Sequence, residues 1–175
     1  MKKEHIFIII LIIIVGGISA LAIITNKRSK IDKNPELTVV LNSVAHALKD
    51  SGTKFYGASW CPHCMQQKEF FKTAVKELPY IECSTAGAGS PQTQVCIDAK
   101  IESYPTWEFA PGVRGSLEII PMDLASIINY PLDDNAKLQL QVQKDEYLAK
   151  MEAKQKDAYV KEIETLKKDL AKSKK

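Results

Sequence analysis

A four-cysteine zinc site usually takes two CxxC pairs, and this chain has one. It has 175 residues and four cysteines. Cys83 and Cys96 are thirteen positions apart, which is not the spacing of a second ligand pair. No histidine directly follows the second cysteine of the motif; Met65 stands there, against c-type haem attachment. Excess charge of one sign is also scarce. The net charge is +3, too small to argue for a nucleic-acid partner. Apolar runs are few, and only Ile6 to Thr25 is long. Positions 134–175 contain no Gly or Pro, and no aromatic residue except Tyr147 and Tyr159.

What is present is concentrated at Trp60-Cys61-Pro62-His63-Cys64. Two thiols one helical turn apart can close a disulfide. If they open a helix, Cys61 meets unsatisfied backbone N–H groups and the positive end of the helix dipole. A protonated His63 adds positive charge. Both favour a thiolate, the nucleophile of disulfide exchange. Cys61 is therefore the expected nucleophile and Cys64 the expected resolving thiol. The competing reading is a structural disulfide or metal pair. Pro62 shapes the helix start. Trp60 either packs beside the motif or serves the core.

The flanks suit a redox motif. Lys54 to Ser59 reads as a buried strand, and Met65 to Leu78 has helical spacing. A helix starts at Asn34-Pro35, with Leu37, Val40, Leu41, Val44 and Leu48 as its stripe and Ser51-Gly52 as its stop. Pro79 to Cys83 reads as a strand and Ser84 to Ser90 as a small-residue loop. Pro91 is expected in the first turn of a short helix carrying Cys96. Thr106 to Phe109 and Gly115 to Ile120 read as strands, and Met122 to Tyr130 as a helix. This alternation implies an α/β fold with helices on a mixed central sheet.

The run from Phe55 to Phe109 resembles the thioredoxin-like domain of bacterial vitamin K epoxide reductase homologues. The resemblance spans roughly residues 36–132. It rests on WCPHC, the PYIEC strand, the SPQTQVC helix, the SYPTW turn and the closing YPL. The CPHC motif is shared with DsbA-type periplasmic oxidases. The resemblance implies a thioredoxin-like fold, thiol–disulfide exchange with exported proteins, and no cofactor beyond the Cys61–Cys64 disulfide. It also implies a cis Pro105 beside the motif, with Tyr104 and Thr106 flanking the exchange site and Trp60 on the substrate surface. The homologues carry a four-helix quinone-reducing domain. With one apolar stretch here, such a partner, of the vitamin K epoxide reductase or DsbB type, is expected to act in trans. Thioredoxin has an acidic residue six positions before its first active-site cysteine; Phe55 occupies that place, which weighs mildly against a strong reductase.

Cys83 and Cys96 admit three readings: a structural disulfide pinning the STAGAGS loop, a second redox pair, or two unpaired thiols. The first is expected. Closing that loop would contribute on the order of 3 kcal/mol in the chain-entropy model. Two cysteine pairs suit an oxidising compartment.

Ile6 to Thr25 spans about 30 Å as a helix, enough for a single membrane anchor. Ala20-Leu21-Ala22 offers a cleavage-site alternative. Lys27, Arg28, Lys30 and Lys33 after the span, against Lys2 and Lys3 before it, tilt the positive-inside count toward a cytoplasmic domain. Cysteine usage and the resemblance point to the extracytoplasmic side, the expectation adopted. The expected organisation is an anchor at 1–26, a linker at 27–35, a thioredoxin-like domain at 36–132 and a charged helical tail at 133–175. In the tail, Tyr159, Ile163, Leu166 and Leu170 follow coiled-coil-like spacing. Self-association through this seam and a solvated tail are the two readings. Function classes are three: an oxidase or isomerase, a reductase for cytochrome c maturation or metal chaperones, and a non-enzymatic tethered scaffold.

Overall fold

The computed structural model describes residues 34–84 and 86–174. The expected anchor lies outside the described residues. Among the described residues no helix is long and apolar enough to cross a membrane. Helix α1 (Pro35–Asp50) buries Leu37, Leu41, Val44 and Leu48, the stripe read from their spacing, with Val40 half-buried beside them. Glu36 in its first turn and Lys49 in its last complement the helix dipole. Gly52, at φ 74°, takes the left-handed turn that ends it.

Four short strands follow: β1 (Lys54–Gly57), β2 (Tyr80–Glu82), β3 (Thr106–Phe109) and β4 (Val113–Gly115). Their order across the sheet is β2-β1-β3-β4. β1 is parallel to β2, with Phe55 opposite Tyr80 and Gly57 opposite Glu82. β3 is antiparallel to both β1 and β4. This mixed sheet flanked by helices fits a thioredoxin-like fold. Successive residues of β1 face opposite sides. Phe55 stacks on Trp107 at 4.6 Å in the main core, whereas Tyr56 joins Cys83, Cys96 and Ile101 in a smaller cluster. Each large side chain taken out of water contributes about 1.5–3 kcal/mol.

The motif helix α2 (Pro62–Glu69) is shorter than its periodicity suggests. Phe70 and Phe71 are both buried. Neighbours on one helix point about 100° apart, so a straight helix aims them differently. The chain instead turns at Lys72, φ 51°, into a 3₁₀ helix over Lys72–Glu77. Helix α3 (Gln94–Asp98) begins after Pro91, contrary to the expectation that Pro91 opens it. Thr93 caps it and is tied to β2's end: its amide donates to Cys83 O and its hydroxyl to Glu82 O.

The last strand also differs. Pairing stops at Gly115 instead of running to Ile120. The fully buried Gln67 of α2 takes over the backbone there. Its Nε2 donates to Ile119 O at 2.8 Å, and Ile119 N donates to its Oε1 at 2.6 Å. Helix α4 (Pro121–Ile127) follows.

The tail is neither one long helix nor a solvated appendage. It forms α5 (Asp134–Leu148) and α6 (Ala153–Ser173), with a break between them. Glu36–Lys175 is one compact unit. The four apolar residues of the expected seam are all buried, and they belong to the main core. Helix α6 packs on β4 and α4. Asp123 of α4, 4% exposed, accepts from Lys144 Nζ and Tyr159 OH, each at 2.8 Å. Gln143 Nε2 donates to Phe70 O. The stripe that periodicity assigns to a partner helix is thus covered by this chain's own domain.

Candidate active site

β1 runs directly into the motif. Gly57 is its last residue, and space there is tight. A Cβ at Gly57 would stand 2.8 Å from Cys64 Sγ and 2.9 Å from Tyr80 Cε2. Glycine in a strand often marks such an approach. Ser59 and Trp60 then turn the chain. Glu82 fixes that turn: its Oε1 accepts from Ser59 N at 3.0 Å and Ser84 N at 3.1 Å, and its Oε2 from Tyr80 OH at 2.9 Å. Trp60 Nε1 donates to Ser84 Oγ at 3.2 Å.

Cys61 occupies the N-cap of α2 and Pro62 its first turn. Proline there loses no helical hydrogen bond. Both thiols are free. Cys61 is 5% exposed and Cys64 fully buried. Cys61 Sγ donates to the carbonyl oxygen of Tyr104 at 3.7 Å. Burial, with Cys61 alongside, pushes the Cys64 thiol up to about 12 from an ordinary 9.0; the Ala58 backbone and Lys68 oppose this. Lys68 Nζ also lies 3.4 Å from the Tyr80 ring centroid.

His63 is exposed and faces Glu118. Its Nδ1 lies 2.7 Å from Glu118 Oε1. Glu118 Oε2 accepts from Tyr147 OH at 3.1 Å. His63 is therefore linked through one carboxylate to α5. Burial first, then Glu118, raises the Tyr147 pKa.

The Tyr104–Pro105 peptide is cis. Tyr104 meets Trp60 edge to face at 6.2 Å. The structure brings Cys61, His63, Trp60, Tyr104 and Pro105 to one place. Thr106 differs: it is 4% exposed, and its hydroxyl is engaged by Ser103 O at 2.8 Å and Ser116 Oγ at 3.1 Å. Its side chain braces the turn from inside. Cys83 and Cys96 form a disulfide, both fully buried. Among the described residues no group of three or more His, Cys, Asp or Glu side chains could hold a metal.

Sequence reading missed Gly57, Glu82, Glu118 and Tyr147. Gly57 had a signal, as a glycine closing an apolar strand. The other three act across separations that spacing does not encode.

No family model matches the chain. Among curated proteins, it is similar to the thiol-disulfide oxidoreductase LTO1 of Arabidopsis thaliana, 41% identical over 104 residues. The match covers 57% of this chain and 27% of that relative, so the chain spans about a quarter of its relative's length.

Proposed function

We propose that this chain is a membrane-anchored thiol–disulfide oxidoreductase acting on cysteines of exported proteins. The observation that carries this reading is the paired placement of two free thiols. Cys61 caps a helix against the Tyr104 carbonyl, and Cys64 is sealed behind it. Similarity to a thiol-disulfide oxidoreductase supports it.

In the oxidase direction the working form is the Cys61–Cys64 disulfide. A substrate thiolate attacks Cys61, the less buried sulfur. The Cys61–Cys64 bond breaks as the Cys61–substrate bond forms, and Cys64 leaves and takes a proton. A second substrate thiolate then attacks the substrate sulfur of the mixed disulfide and releases Cys61. Two electrons pass from substrate to protein. A membrane quinone reductase of the vitamin K epoxide reductase or DsbB type removes them in trans. Trp60, Tyr104 and Pro105 border the exchange site. Ile6 to Thr25 supplies the anchor. The buried Cys83–Cys96 disulfide supports an extracytoplasmic domain, because oxidising compartments preserve such bonds.

The test is the reduction potential of Cys61–Cys64, by equilibration of the full chain with glutathione buffers. A value of about −120 to −180 mV fits the oxidase or isomerase, and about −270 mV would reverse the electron flow to a reductase.

A further inference from the structure

Cys64 is the sulfur whose chemistry its surroundings oppose. It is fully buried, and burial pushes its thiol up to about 12 from 9.0. Yet exchange needs it as a thiolate twice: when it leaves Cys61, and when it attacks Cys61 to close the bond again. A group near Cys64 has to favour that charge.

Lys68 is the cation placed to do so. It follows Cys64 by four positions on α2, so the two share one face of the helix. Its Nζ lies 3.4 Å from the centroid of the Tyr80 ring. The same ring borders the sulfur. The point where a Gly57 Cβ would stand is 2.8 Å from Cys64 Sγ and 2.9 Å from Tyr80 Cε2. Tyr80 thus presents an edge to the thiol's enclosure and a face to the ammonium.

That seat is fixed. Tyr80 OH donates to Glu82 Oε2 at 2.9 Å, and its ring meets Phe55 edge to face at 5.0 Å. Glu82 Oε1 also holds the turn before Cys61, through Ser59 N. One carboxylate therefore sets the seat of Lys68 and the start of the motif together. Burial raises the pKa of Tyr80 and of Tyr104, so both stay neutral phenols. A neutral ring holds a cation on its face without cancelling its charge. Lys68 makes no ion pair among the described residues. Glu82 stands behind the Tyr80 hydroxyl. Cys61 carries no charge once it is bound in a mixed disulfide. Of Cys61, Lys68, Tyr80 and Tyr104, which act on Cys64, Lys68 then bears the charge.

We propose that Lys68, seated on the Tyr80 ring, is the positioning residue that lets the enclosed Cys64 act as a thiolate, both in leaving Cys61 and in attacking it. The inference rests on the thiol-exchange reading and deepens it, by assigning a residue to the step that burial disfavours.

The experiment uses the reduced full chain in detergent micelles, with oxidised glutathione as the only oxidant. Cys61 thiolate attacks one glutathione sulfur; that S–S bond breaks, the Cys61–glutathione bond forms, and one glutathione leaves and takes a proton. Cys64 then gives its proton to solvent and attacks the Cys61 sulfur. The Cys61–Cys64 bond forms as the second glutathione leaves and is protonated. Two electrons pass from the protein to oxidised glutathione. The first step reports Cys61 and the second Cys64, and acid quenching with mass spectrometry separates them. Lys68→Met, which keeps the stem and removes the charge, should slow closure ~10-fold at neutral pH, the effect of about one pKa unit on a thiolate population. It should move the pH profile of closure upward and leave the first step unchanged. Lys68→Arg keeps a charge that stacks on an aromatic face and should restore closure to within ~3-fold of the parent. Lys68→Gln removes the same charge with a polar end and gives the same reading if the methionine variant fails to fold. Closure as fast without the charge as with it would overturn the role of Lys68. Equal slowing by arginine and methionine, or slowing of both steps alike, would also overturn it, since a packing defect ignores charge. A parent chain that forms no mixed disulfide with glutathione would instead remove the thiol-exchange reading beneath it.

Discussion

Gly57 and Cys64 meet where a methyl group cannot fit. The Cβ that alanine would add stands 2.8 Å from the Cys64 sulfur, well inside van der Waals contact. The neighbour on the other side is the Tyr80 ring, itself packed edge to face on Phe55 at 5.0 Å. Neither can yield without moving the core. Gly57→Ala is expected to cost about 1–3 kcal/mol, the range for overpacking. By displacing Cys64 it should also slow the step in which Cys64 attacks Cys61 of a mixed disulfide and closes the Cys61–Cys64 bond. Urea unfolding and quenched-flow trapping of the mixed disulfide read the two effects.

The two thiols should react unequally. At pH 8, iodoacetamide is expected to modify Cys61 well ahead of Cys64, as read by fragment-ion mass spectrometry. Cys64 is fully buried and its pKa is pushed up to about 12 from 9.0, chiefly by burial. A raised folded-state value means that its contribution to stability is complete below 9.0 and lost as pH rises toward 12. The reduced protein should therefore lose stability above pH 9.0 more steeply than Cys64→Ala. Parallel slopes would refute this.

Leu166 joins the tail to the sheet. Its Cδ1 lies 2.8 Å from the point where a Gly115 Cβ would stand, so α6 rests on bare backbone of β4. Leu166→Ala should destabilise the whole unit by about 2–5 kcal/mol. A melting temperature unchanged from the parent would mean that the tail is not part of the folded core.

Glu108 gives the acid limb of the stability curve a definite sign. Burial opposes its ionisation, but Lys54 at 2.9 Å and Arg114 outweigh burial and hold its pKa below 4.5. That contribution is present above 4.5 and lost as pH falls through the lowered value. Lys54, with its pKa raised above 10.5 chiefly by the Glu108 hydrogen bond, keeps its share below 10.5. Glu108→Gln should flatten the loss of stability below pH 4.5. Denaturant midpoints from pH 3 to 7 check it.

How much of this was legible depends on how each residue acts. The α1 stripe and its stop at Gly52 are local periodicity and local turn chemistry, and the structure places both as read. The pairing of Cys61 and Cys64 at the start of α2 was legible because they are one turn apart. On α6, spacing gave the right buried residues and the wrong covering surface. Tyr159, Ile163, Leu166 and Leu170 mark an apolar face, but a 4-3-4 pattern is the same whether a second chain or the chain's own sheet covers it. Strand β4 was misplaced because Gln67, a polar residue on a helix, takes the backbone of Ile119. That the Thr106 side chain turns inward was not legible, because its place next to Pro105 says nothing of which way it points.

The fully enclosed Cys83–Cys96 pair has a consequence for how the protein comes into being. Four thiols can pair in three ways, and one of these arrangements leaves Cys61 and Cys64 for each other. Once the domain has closed over Cys83 and Cys96, oxidants can no longer reach those sulfurs. Their bond must be made while the chain is still open. The exchange activity proposed above would thus belong to a chain that first receives a disulfide itself, before its own site is finished.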